Sequence, residues 1–554
     1  MANPYRPIQH SQAVDGFQAT ALVGSSSAIV AWSAEKQDIA ENLLGFAIKR
    51  TDFDSASGNE IKSDFLPSLK RFKGIKEDVK TLGSNEAPFQ RFRWNDYGLN
   101  PKKRYRYDIF PVLGEPGTTA MGNPMSVDVV PSLPVMDNIG VFFNRGVTSA
   151  HAYLSRFGGK HPDEVANNEA YEWLSRGLKE SLLLFIAETK PGQQLHVCIY
   201  EFFDIDVAAA LAAVKSKVDV KIIYHAKAGD KATGESAENI AHHKLTKLAL
   251  ARTQTRAISH NKFAVRLEAG KPVSLWTGSS NFSSNAFYFQ TNSALLIGIP
   301  EIAQIYEDYF QVLLTDPELS RKKKNVEFAQ DKVAAINAAF RPLPPFSRVL
   351  FSPVRNIDLL DLAVEMITSA QSAVFISAPF AMEAPLVEAL KKNRAATLEY
   401  GLSNVTVKKK LEGLKVKHTR FLVPSVLKTF MGKEWDAKAF GDHKIHSKMI
   451  VTDPWSNNPR VFVGSSNHSD ESCNKNDENN LLIEKDARVA AIMSTEFMRM
   501  FDHYNSRDFI NAIEAGQSPD DKFLKDDARW ARTAYDDKAK SHKFRDRQVF
   551  SGQE

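Results

Sequence analysis

Cysteine is scarce in this sequence, with only two among 554 residues. Cys198 lies in an apolar stretch and Cys473 in a polar one, which predicts neither a disulfide framework nor a metal site. Apolar runs are short, and none approaches the ~20 residues needed to cross a bilayer. The first residues also lack the basic and apolar pattern of a secretory signal. We therefore expect a soluble protein without an integral membrane segment, with cytoplasmic residence as the default.

An excess of one charge is also missing. Lysine and arginine number 71 against 66 aspartates and glutamates, a formal net charge of +5. This balance permits a polyanionic partner without demanding one, because nucleic-acid binders concentrate their charge on one face. The length exceeds what one hydrophobic core usually supports, so we expect about three domains.

What the sequence does contain is a polar pattern that occurs twice. His260-Asn261-Lys262 is followed by Gly278-Ser279-Ser280-Asn281, and His446-Ser447-Lys448 by Gly464-Ser465-Ser466-Asn467. Each member of the second set follows its counterpart by 186 residues (446 minus 260). A register kept without insertion across about forty residues indicates two copies of one structural unit.

The segments around the two copies differ in pattern from the N-terminal region. Short apolar runs with alternation predict an antiparallel β-sandwich at residues 1–135. Alternating strands and amphipathic helices then predict two α/β/α sandwich halves, at 140–315 and 347–510, each with a mixed or parallel sheet covered by helices. A proline-containing linker at 316–346 would join the halves, and a polar C-terminal arm at 511–554 would lie over the core.

Three individual elements are predicted within these halves. Apolar residues at helical spacing predict one amphipathic helix from Tyr171 to Phe185. An alanine- and leucine-rich segment predicts a helix from Ala237 to Ala251. A strand is expected from Lys444 to Thr452, with His446 and Lys448 on one face and Met449 and Val451 on the other.

One pattern in the N-terminal region resembles fibronectin type III domains. Leu99-X-Pro101 followed by Tyr105-X-Tyr107-X-Ile109 is similar to the tyrosine corner of that family, and Trp32 matches its buried core tryptophan. The resemblance implies a domain for binding or spacing rather than for chemistry.

The duplicated pattern resembles the phospholipase D superfamily over roughly residues 140 to 510. The second copy matches the family's full motif including Asp453, whereas the first copy has Leu267 at the matching position. That carboxylate is usually structural in the family, so the chemistry remains plausible without it. The resemblance implies catalytic residues His260, Lys262, Asn281, His446, Lys448, Asn467 and Glu478, supported by Asp453, Ser279, Ser465, Gln290 and Asn292.

These residue types suit the cleavage of a phosphodiester. The reaction needs a nucleophile, an acid for the departing alkoxide, and donors around the phosphoryl oxygens. Two imidazoles, two ammonium groups and two carboxamides supply that set, and we expect no cofactor. A metal site is not predicted, because each histidine is accompanied by a lysine whose positive charge repels a cation.

The asymmetry between the copies suggests which histidine attacks. Glu478 follows His446 by 32 residues, and Asn292 takes the matching place after His260, with Gln290 nearby. A carboxylate bonded to the imidazole of His446 favours a protonated ring, which suits a general acid, and an amide beside His260 leaves that ring neutral, which suits a nucleophile. This predicts that His260 attacks phosphorus to form a phosphohistidine, and that His446 protonates the leaving group and then activates water.

Three functions remain open. The leading hypothesis is a phosphodiesterase of phospholipase D type that hydrolyses or transfers phospholipid headgroups. The second is a nuclease or DNA-end-processing enzyme. The basic run Arg321-Lys322-Lys323-Lys324 favours it slightly. The chain also loosely resembles tyrosyl-DNA phosphodiesterases, because its first copy lacks the aspartate and because its first histidine has an amide partner and its second a glutamate. The third is a noncatalytic scaffold.

The expected partner is a phosphodiester substrate, a phospholipid or a nucleic acid. A lipid substrate would require peripheral membrane contact through an apolar rim. One chain contains both copies and can assemble a full site, so we expect a monomer. Five further residues could line the cleft, although residues of these types are more commonly found on the surface without a role in the site. They are His242, His243, Lys244, Asp442 and His443.

Overall fold

A computed structural model gives the fold of the chain. It describes residues 5–36, 39–76, 78–79, 81–146, 151–253, 258–315, 325–356, 358–393, 397–404, 414, 419–423, 444–514, 523–538 and 542–552. The basic run at 321–324 and the candidates Asp442 and His443 lie outside these residues.

The described strands are numbered in chain order. They are β1 (Ile8–His10), β2 (Gln18–Val23), β3 (Ala28–Ser33), β4 (Leu43–Asp54), β5 (Glu60–Phe65), β6 (Pro67–Ser68), β7 (Leu82–Gly83), β8 (Arg93–Asp96), β9 (Lys103–Glu115), β10 (Thr118–Met121), β11 (Met125–Val129), β12 (Val135–Met136), β13 (Ile139–Phe143), β14 (Gln194–Ile199), β15 (Asp219–His225), β16 (Ala249–Arg252), β17 (Lys262–Glu268), β18 (Lys271–Gly278), β19 (Ser293–Ile297), β20 (Phe346–Ser352), β21 (Ala373–Ser377), β22 (Leu398–Leu402), β23 (Thr419–Leu422), β24 (Lys448–Thr452), β25 (Arg460–Gly464) and β26 (Glu478–Glu484).

The helices are identified by their bounds. The α-helices are His151–Phe157, Glu169–Ser175, Leu178–Ala187, Ile205–Val214, Lys231–His242, Pro300–Leu314, Asn325–Ala339, Asp358–Ser369, Ala384–Lys392, Asp470–Asn474, Ala487–Glu514 and Lys543–Ser551. Shorter 3-10 segments are Pro162–Glu164, Ala166–Asn168, Thr246–Leu248 and Ala528–Ala534, and Asn285–Phe289 is a π-helical turn. Within the described residues, no helix is both long and apolar enough to span a bilayer.

The N-terminal region is built from antiparallel sheets, as its alternating pattern predicts. One sheet has the order β1-β2-β3-β8, and a second has the order β10-β9-β4-β5 with β11 also paired to β9. Trp32 is completely buried in the core of this region. The hydroxyl of Tyr105 accepts a hydrogen bond from the backbone N–H of Asn100 at 2.7 Å. Its fibronectin type III character remains a prediction.

The mixed α/β character predicted for the rest of the chain is confirmed. An eight-stranded sheet has the order β12-β13-β19-β18-β17-β14-β15-β16, and a seven-stranded sheet has the order β20-β26-β25-β24-β21-β22-β23. In both sheets the last three strands are parallel to one another and the other pairings are antiparallel. Seven strands of the first sheet therefore recur in the second in the same order.

One apolar core lies between the two sheets. It contains one face of each sheet together with residues of the helices Pro300–Leu314 and Ala487–Glu514. The alternation of β24 assigns Met449 and Val451 to this core, whereas Ile450 packs in a separate cluster on the outer face. The two sheets are thus joined through shared buried side chains.

Three predicted elements differ from the structure. The helix expected from Tyr171 to Phe185 is interrupted because Arg176 and Gly177 adopt left-handed conformations between two shorter helices. The helix expected from Ala237 to Ala251 ends at His242, and its last residues form β16 instead. The strand expected from Lys444 begins only at Lys448, so His446 lies before the strand.

The described part of the C-terminal arm packs against the N-terminal region. Trp530 stacks on Phe92 at 5.2 Å and donates a hydrogen bond to the carbonyl of Leu43. The helix Ala487–Glu514 runs past the boundary predicted at residue 510, a boundary chosen only from a change in polarity. The described part of the arm therefore packs against the N-terminal sheets, and within it the helix Lys543–Ser551 contributes Val549 and Phe550 to the central core.

Candidate active site

The two copies of the motif meet at the junction between the α/β units. Isolated bridges join Ser259 to Asp477 and Thr291 to Ile445. The N–H groups of the two histidines donate across the junction, His260 to the carbonyl of Asp477 at 2.9 Å and His446 to that of Thr291 at 3.2 Å. Each unit therefore holds the backbone of the other unit's histidine.

Within each copy, histidine and lysine take the same local arrangement. His260 and His446 lie two residues before their strands, which begin with Lys262 and Lys448. The lysine Nζ donates to the carbonyl of its own copy's histidine, at 2.6 Å in the first copy and 2.7 Å in the second. The two ammonium groups are thus fixed beside the two imidazoles, although each histidine lies outside a strand.

An aromatic ring accompanies each pair. The ring of Tyr200 lies 5.2 Å from that of His260, and Lys262 Nζ lies 5.3 Å from the Tyr200 ring centre. In the other copy, Phe380 lies 5.5 Å from His446 and 5.1 Å from Lys448 Nζ. The two aromatic rings limit the motion of the neighbouring imidazoles and place π-electron density beside the lysine ammonium groups. Neither aromatic residue was predicted from the sequence. Each follows a central strand of its unit, β14 or β21, and this shared position could have identified them.

The predicted pairing of the histidines with their polar partners is wrong. His260 Nδ1 lies 2.8 Å from Glu478 Oε2, and His446 Nδ1 lies 2.8 Å from Asn292 Oδ1. Each partner therefore belongs to the opposite copy. The sequence could not show this crossing, because sequence spacing does not specify which unit's side chain lies opposite each ring.

The surrounding hydrogen bonds fix the tautomer of each ring. Glu478 also accepts from Ser465 Oγ at 2.6 Å. The Asn292 amide donates from Nδ2 to the carbonyl of Ala286 at 2.9 Å, which leaves its Oδ1 facing His446. Because both partners are acceptors, each imidazole carries a proton on Nδ1 and has Nε2 left for chemistry.

Burial and positive charge control the ionisation of these groups. Burial, aided by Lys262 and Lys448, lowers the pKa of His260 to about 4, although Glu478 opposes the shift. Burial and the same two lysines hold the pKa of His446 well below its usual value. Burial alone would raise the pKa of Glu478, but His260 and Lys262 hold it below the usual range. The resulting site has a buried carboxylate and neutral imidazoles.

Burial of the two lysines outweighs the nearby carboxylates Glu478 and Glu201. Burial lowers the pKa of Lys262, and burial together with Lys262 lowers that of Lys448. Two buried ammonium groups favour an anion between them, since an anion would offset both desolvation and mutual repulsion. Within the described part of the chain, no group of three or more His, Cys, Asp or Glu side chains could hold a metal ion.

The asparagines of the two copies differ in their surroundings. Asn281 is buried and donates from Nδ2 to Glu201 Oε2 at 2.7 Å. Asn467 is half-buried, and the Oδ1 atoms of both asparagines have no hydrogen-bond partner among the described residues. Glu201 was not anticipated from the sequence, because nothing in the duplicated pattern points to a carboxylate just after β14.

The glycine of each Gly-Ser-X-Asn segment permits close strand approach. A Cβ added at Gly278 would lie 2.2 Å from the carbonyl oxygen of Ser293, and one at Gly464 would lie 2.3 Å from that of Asn479. Any side chain there would separate the paired strands. The following serines, Ser279 and Ser465, donate to Asn292 and Glu478 respectively, so the glycines hold the histidine partners in place.

Asp453 lies at the far end of β24 from His446. Its carboxylate accepts hydrogen bonds from the backbone N–H groups of Gln371, Ser372 and Ala373. It therefore ties β24 to the start of β21 and does not contact the histidines. Leu267, at the matching position of the first copy, is buried in the central core, which explains how that copy manages without the aspartate.

Several sequence candidates are not brought to the site. His242 and Lys244 are exposed, and His243 contacts its own helix through the carbonyl of Asn239. The Gln290 carbonyl accepts a hydrogen bond from Asn144, and among the described residues its side chain makes no hydrogen bond to either histidine.

The structure adds a buried ion pair that the sequence did not suggest. Arg252 on β16 donates to Asp477, the residue that binds the His260 backbone.

Two segments of the chain match one protein-family profile. The profile described as "Cardiolipin synthase, PLD-like domain" matches residues 182–314 and 363–501, and each segment includes one copy of the motif. No curated protein sequence matches the chain.

Three solved structures resemble the chain over part of its length. Phosphatidylserine synthase of Haemophilus influenzae Rd KW20 is 11% identical, with a TM-score of 0.42, over 59% of this chain and 83% of that chain. Yeast tyrosyl-DNA phosphodiesterase is 13% identical, with a TM-score of 0.32, over 54% of this chain and 84% of that chain. Polyphosphate kinase from Porphyromonas gingivalis is 11% identical, with a TM-score of 0.36, over 57% of this chain. The match covers only 43% of the kinase's own length.

Proposed function

We propose that this chain, in which two segments match a PLD-like domain profile, is a metal-independent phosphodiesterase that hydrolyses or transfers phospholipid headgroups through a phosphohistidine. The crossed hydrogen bonds His260–Glu478 and His446–Asn292 carry the proposal. They leave Nε2 of both rings for chemistry within one pair of buried lysines. The description of the matched profile, a cardiolipin synthase domain, supports a lipid substrate.

In the first step, His260 attacks the phosphorus. Its Nε2 lone pair forms the N–P bond while the bond from phosphorus to the headgroup oxygen breaks. His446, protonated on Nε2 in the substrate complex, gives that proton to the departing alkoxide. A bound phosphodiester anion favours this protonation, because it offsets the charge of Lys448 and Lys262 that lowers the pKa of His446.

In the second step, water or another alcohol attacks the phosphohistidine. His446 Nε2 accepts the proton of the attacking hydroxyl, the N–P bond breaks, and His260 returns to its neutral form. Water gives hydrolysis and an alcohol gives transfer. Lys262, Lys448, Asn281 and Asn467 would bind the nonbridging oxygens, on which charge gathers in the transition state.

The observed pairing changes the reason for assigning the two roles. Forming the N–P bond places positive charge on the attacking imidazole, and the buried carboxylate of Glu478 stabilises that charge on His260. Asn292 cannot do the same for His446, because its amide is neutral. A carboxylate partner therefore supports His260 as the nucleophile, whereas an amide partner leaves His446 free to cycle between its two forms.

Bis(p-nitrophenyl) phosphate separates the two roles, because p-nitrophenolate leaves without being protonated. We expect His446→Ala to release about one equivalent of p-nitrophenolate per enzyme and then stall, with the remaining p-nitrophenyl phosphoryl group attached to His260 through an N–P bond. His260→Ala should show no burst and lose activity by at least about a thousandfold. Covalent phosphate on His446, or a burst in His260→Ala only, would contradict the assignment.

Substrate class is tested by parallel assays of wild-type protein and His260→Ala. Phosphatidylglycerol, phosphatidylcholine, single-stranded DNA and duplex DNA are the substrates. The proposal expects His260-dependent release of the headgroup from a phospholipid. Activity confined to DNA would replace it with the nuclease hypothesis, and activity on none of them would favour the scaffold.

We also propose that the two α/β units are repeats of one fold and that the N-terminal region is a fibronectin type III-like brace. The shared strand order supports the first idea. Contacts of Ser26 and Ser27 with Glu496 support the second, because they join the β-sandwich to the long helix of the central core. Deleting residues 1–135 should therefore lower the melting temperature of the remaining chain.

A further inference from the structure

Glu201 is a carboxylate beside the proposed active site that the mechanism above does not use. It lies two residues after β14, between Tyr200, whose ring contacts His260, and Phe202. Phe202 forms a bridge with Phe282, the neighbour of Asn281, and the Phe282 N–H donates to the Glu201 carbonyl at 3.0 Å. The backbone of Glu201 is therefore fixed against the Gly-Ser-X-Asn segment of the first unit.

The second unit has no equivalent carboxylate. Phe202 pairs with Phe282 in the first unit, and Met382 pairs with His468 in the second. The residue before each pairing position is Glu201 in one unit and Ala381 in the other. Glu201 therefore adds a carboxylate on the first unit's side of the site, at a position where the second unit has an alanine.

Hydrogen bonds orient the Glu201 carboxylate and leave part of it open. Asn281 Nδ2 and Ser283 Oγ both donate to Oε2, at 2.7 Å and 3.2 Å. Oε1 has no hydrogen bond within the described ranges, and the residue is only partly buried. A carboxylate oxygen can accept two hydrogen bonds, so Oε1 is an acceptor that the bonds to Oε2 hold beside Asn281.

The charge of Glu201 reaches the lysines of both units. Burial lowers the pKa of Lys262 and of Lys448, and Glu201 is among the groups that oppose this shift. Burial also raises the pKa of Glu201 itself, with Asn281 and Lys262 acting against it. Since Lys262 and Lys448 come from different units, Glu201 lies close to their junction, where a phosphodiester would bind.

We infer that Glu201 is a specificity-determining residue whose Oε1 accepts a hydrogen bond from a hydroxyl or ammonium group on the alcohol attached to the scissile phosphate. The inference rests on the proposed phospholipid activity and defines its headgroup class. A polar headgroup such as glycerol or ethanolamine supplies the donor. A headgroup without a donor leaves the carboxylate unpaired, and one bearing a further phosphate meets repulsion.

The test compares two phospholipids that differ in the headgroup donor. Phosphatidylglycerol and phosphatidylmethanol are presented to the full chain in the same mixed micelles, and kcat/KM is measured for each. Wild-type protein is expected to prefer phosphatidylglycerol by at least about tenfold, the effect of a hydrogen bond to a charged group. Glu201→Ala should bring the two values within about twofold, mainly by lowering kcat/KM for phosphatidylglycerol.

Two further variants separate specificity from folding and from general charge. Glu201→Gln keeps the shape and one acceptor oxygen but loses the charge, so its preference should fall between those of wild type and Glu201→Ala. Glu235→Gln is the matched control, because Glu235 is another acidic residue near Glu201 that pairs with Lys231 and not with Asn281. This control should keep the wild-type preference.

The outcomes distinguish this inference from the proposed function. Equal losses on both lipids in Glu201→Ala would mean that the carboxylate only orients Asn281, and the specificity role would be wrong. A wild-type enzyme that hydrolyses both lipids equally would also overturn it. Failure of wild-type protein to hydrolyse either lipid would remove the proposed function, and the inference with it.

Discussion

Replacing Glu478 with glutamine tests the crossed pairing directly. The carboxylate is completely buried and binds His260 Nδ1, Ser465 Oγ and Asn476 Nδ2. Glutamine preserves the shape but removes the charge that would stabilise the developing imidazolium. A hydrogen bond between charged groups contributes about 1.5–3 kcal/mol. Since about 1.4 kcal/mol is tenfold in rate, we expect the rate of the chemical step to fall about 10- to 150-fold.

The assay is the single-turnover burst of p-nitrophenol from bis(p-nitrophenyl) phosphate, which reports nucleophilic attack alone. Glu484→Gln is the control, because Glu484 lies on the same strand but at its far end, paired with Arg460. That variant should stay within about twofold of wild type. A correctly folded Glu478→Gln protein whose burst rate is within threefold of wild type would refute the role of the carboxylate.

Three more predictions follow from the buried groups. With bis(p-nitrophenyl) phosphate, the acid limb of kcat/KM should lie near pH 4, because His260 must be neutral and its pKa is about 4; a limb at pH 6.5 would contradict this. Burial alone would raise the pKa of Glu496, but Arg176 and Arg499 lower it to about 2. The stability from Glu496 is thus complete above pH 4.5 and is lost as the pH falls toward 2. The pKa shift of Glu496 corresponds to at most about 3 kcal/mol of folding stability. The net gain is smaller, because burying the charged Arg176 costs free energy. Glu496→Gln should flatten this acid dependence in thermal-melt midpoints, and an unchanged wild-type slope would disprove it. Gly464→Ala should cost about 1–3 kcal/mol and lower activity by displacing β26, whereas Gly234→Ala, in an open helix position, should be neutral or stabilising; equal melts for both would argue against the close strand approach.

The sequence predicted the elements best where the pattern was regular. The alternation in β24 correctly separated Met449 and Val451 from the opposite face. The amphipathic pattern from Tyr171 to Phe185 did not reveal a break, because Gly177 can be tolerated within a helix or can end one, and packing decided which. Likewise, Ala249 to Arg252 contains good helix formers, yet it pairs with β15 as a parallel strand. The parallel pairing with β15 outweighed intrinsic helix propensity there.

The candidate site shows the same division between sequence and tertiary structure. Residue types and the constant offset of 186 residues were enough to name both histidines, both lysines and their partners. They could not show that Glu478 binds His260 and Asn292 binds His446, nor that Glu201 joins Asn281. Spacing along a chain records which residues belong to one unit, whereas contacts between units depend on how two folded surfaces dock. The chemistry available to this protein was therefore determined by its sequence, and the pairing of its acid, base and carboxylate groups was decided only at the junction of the two sheets.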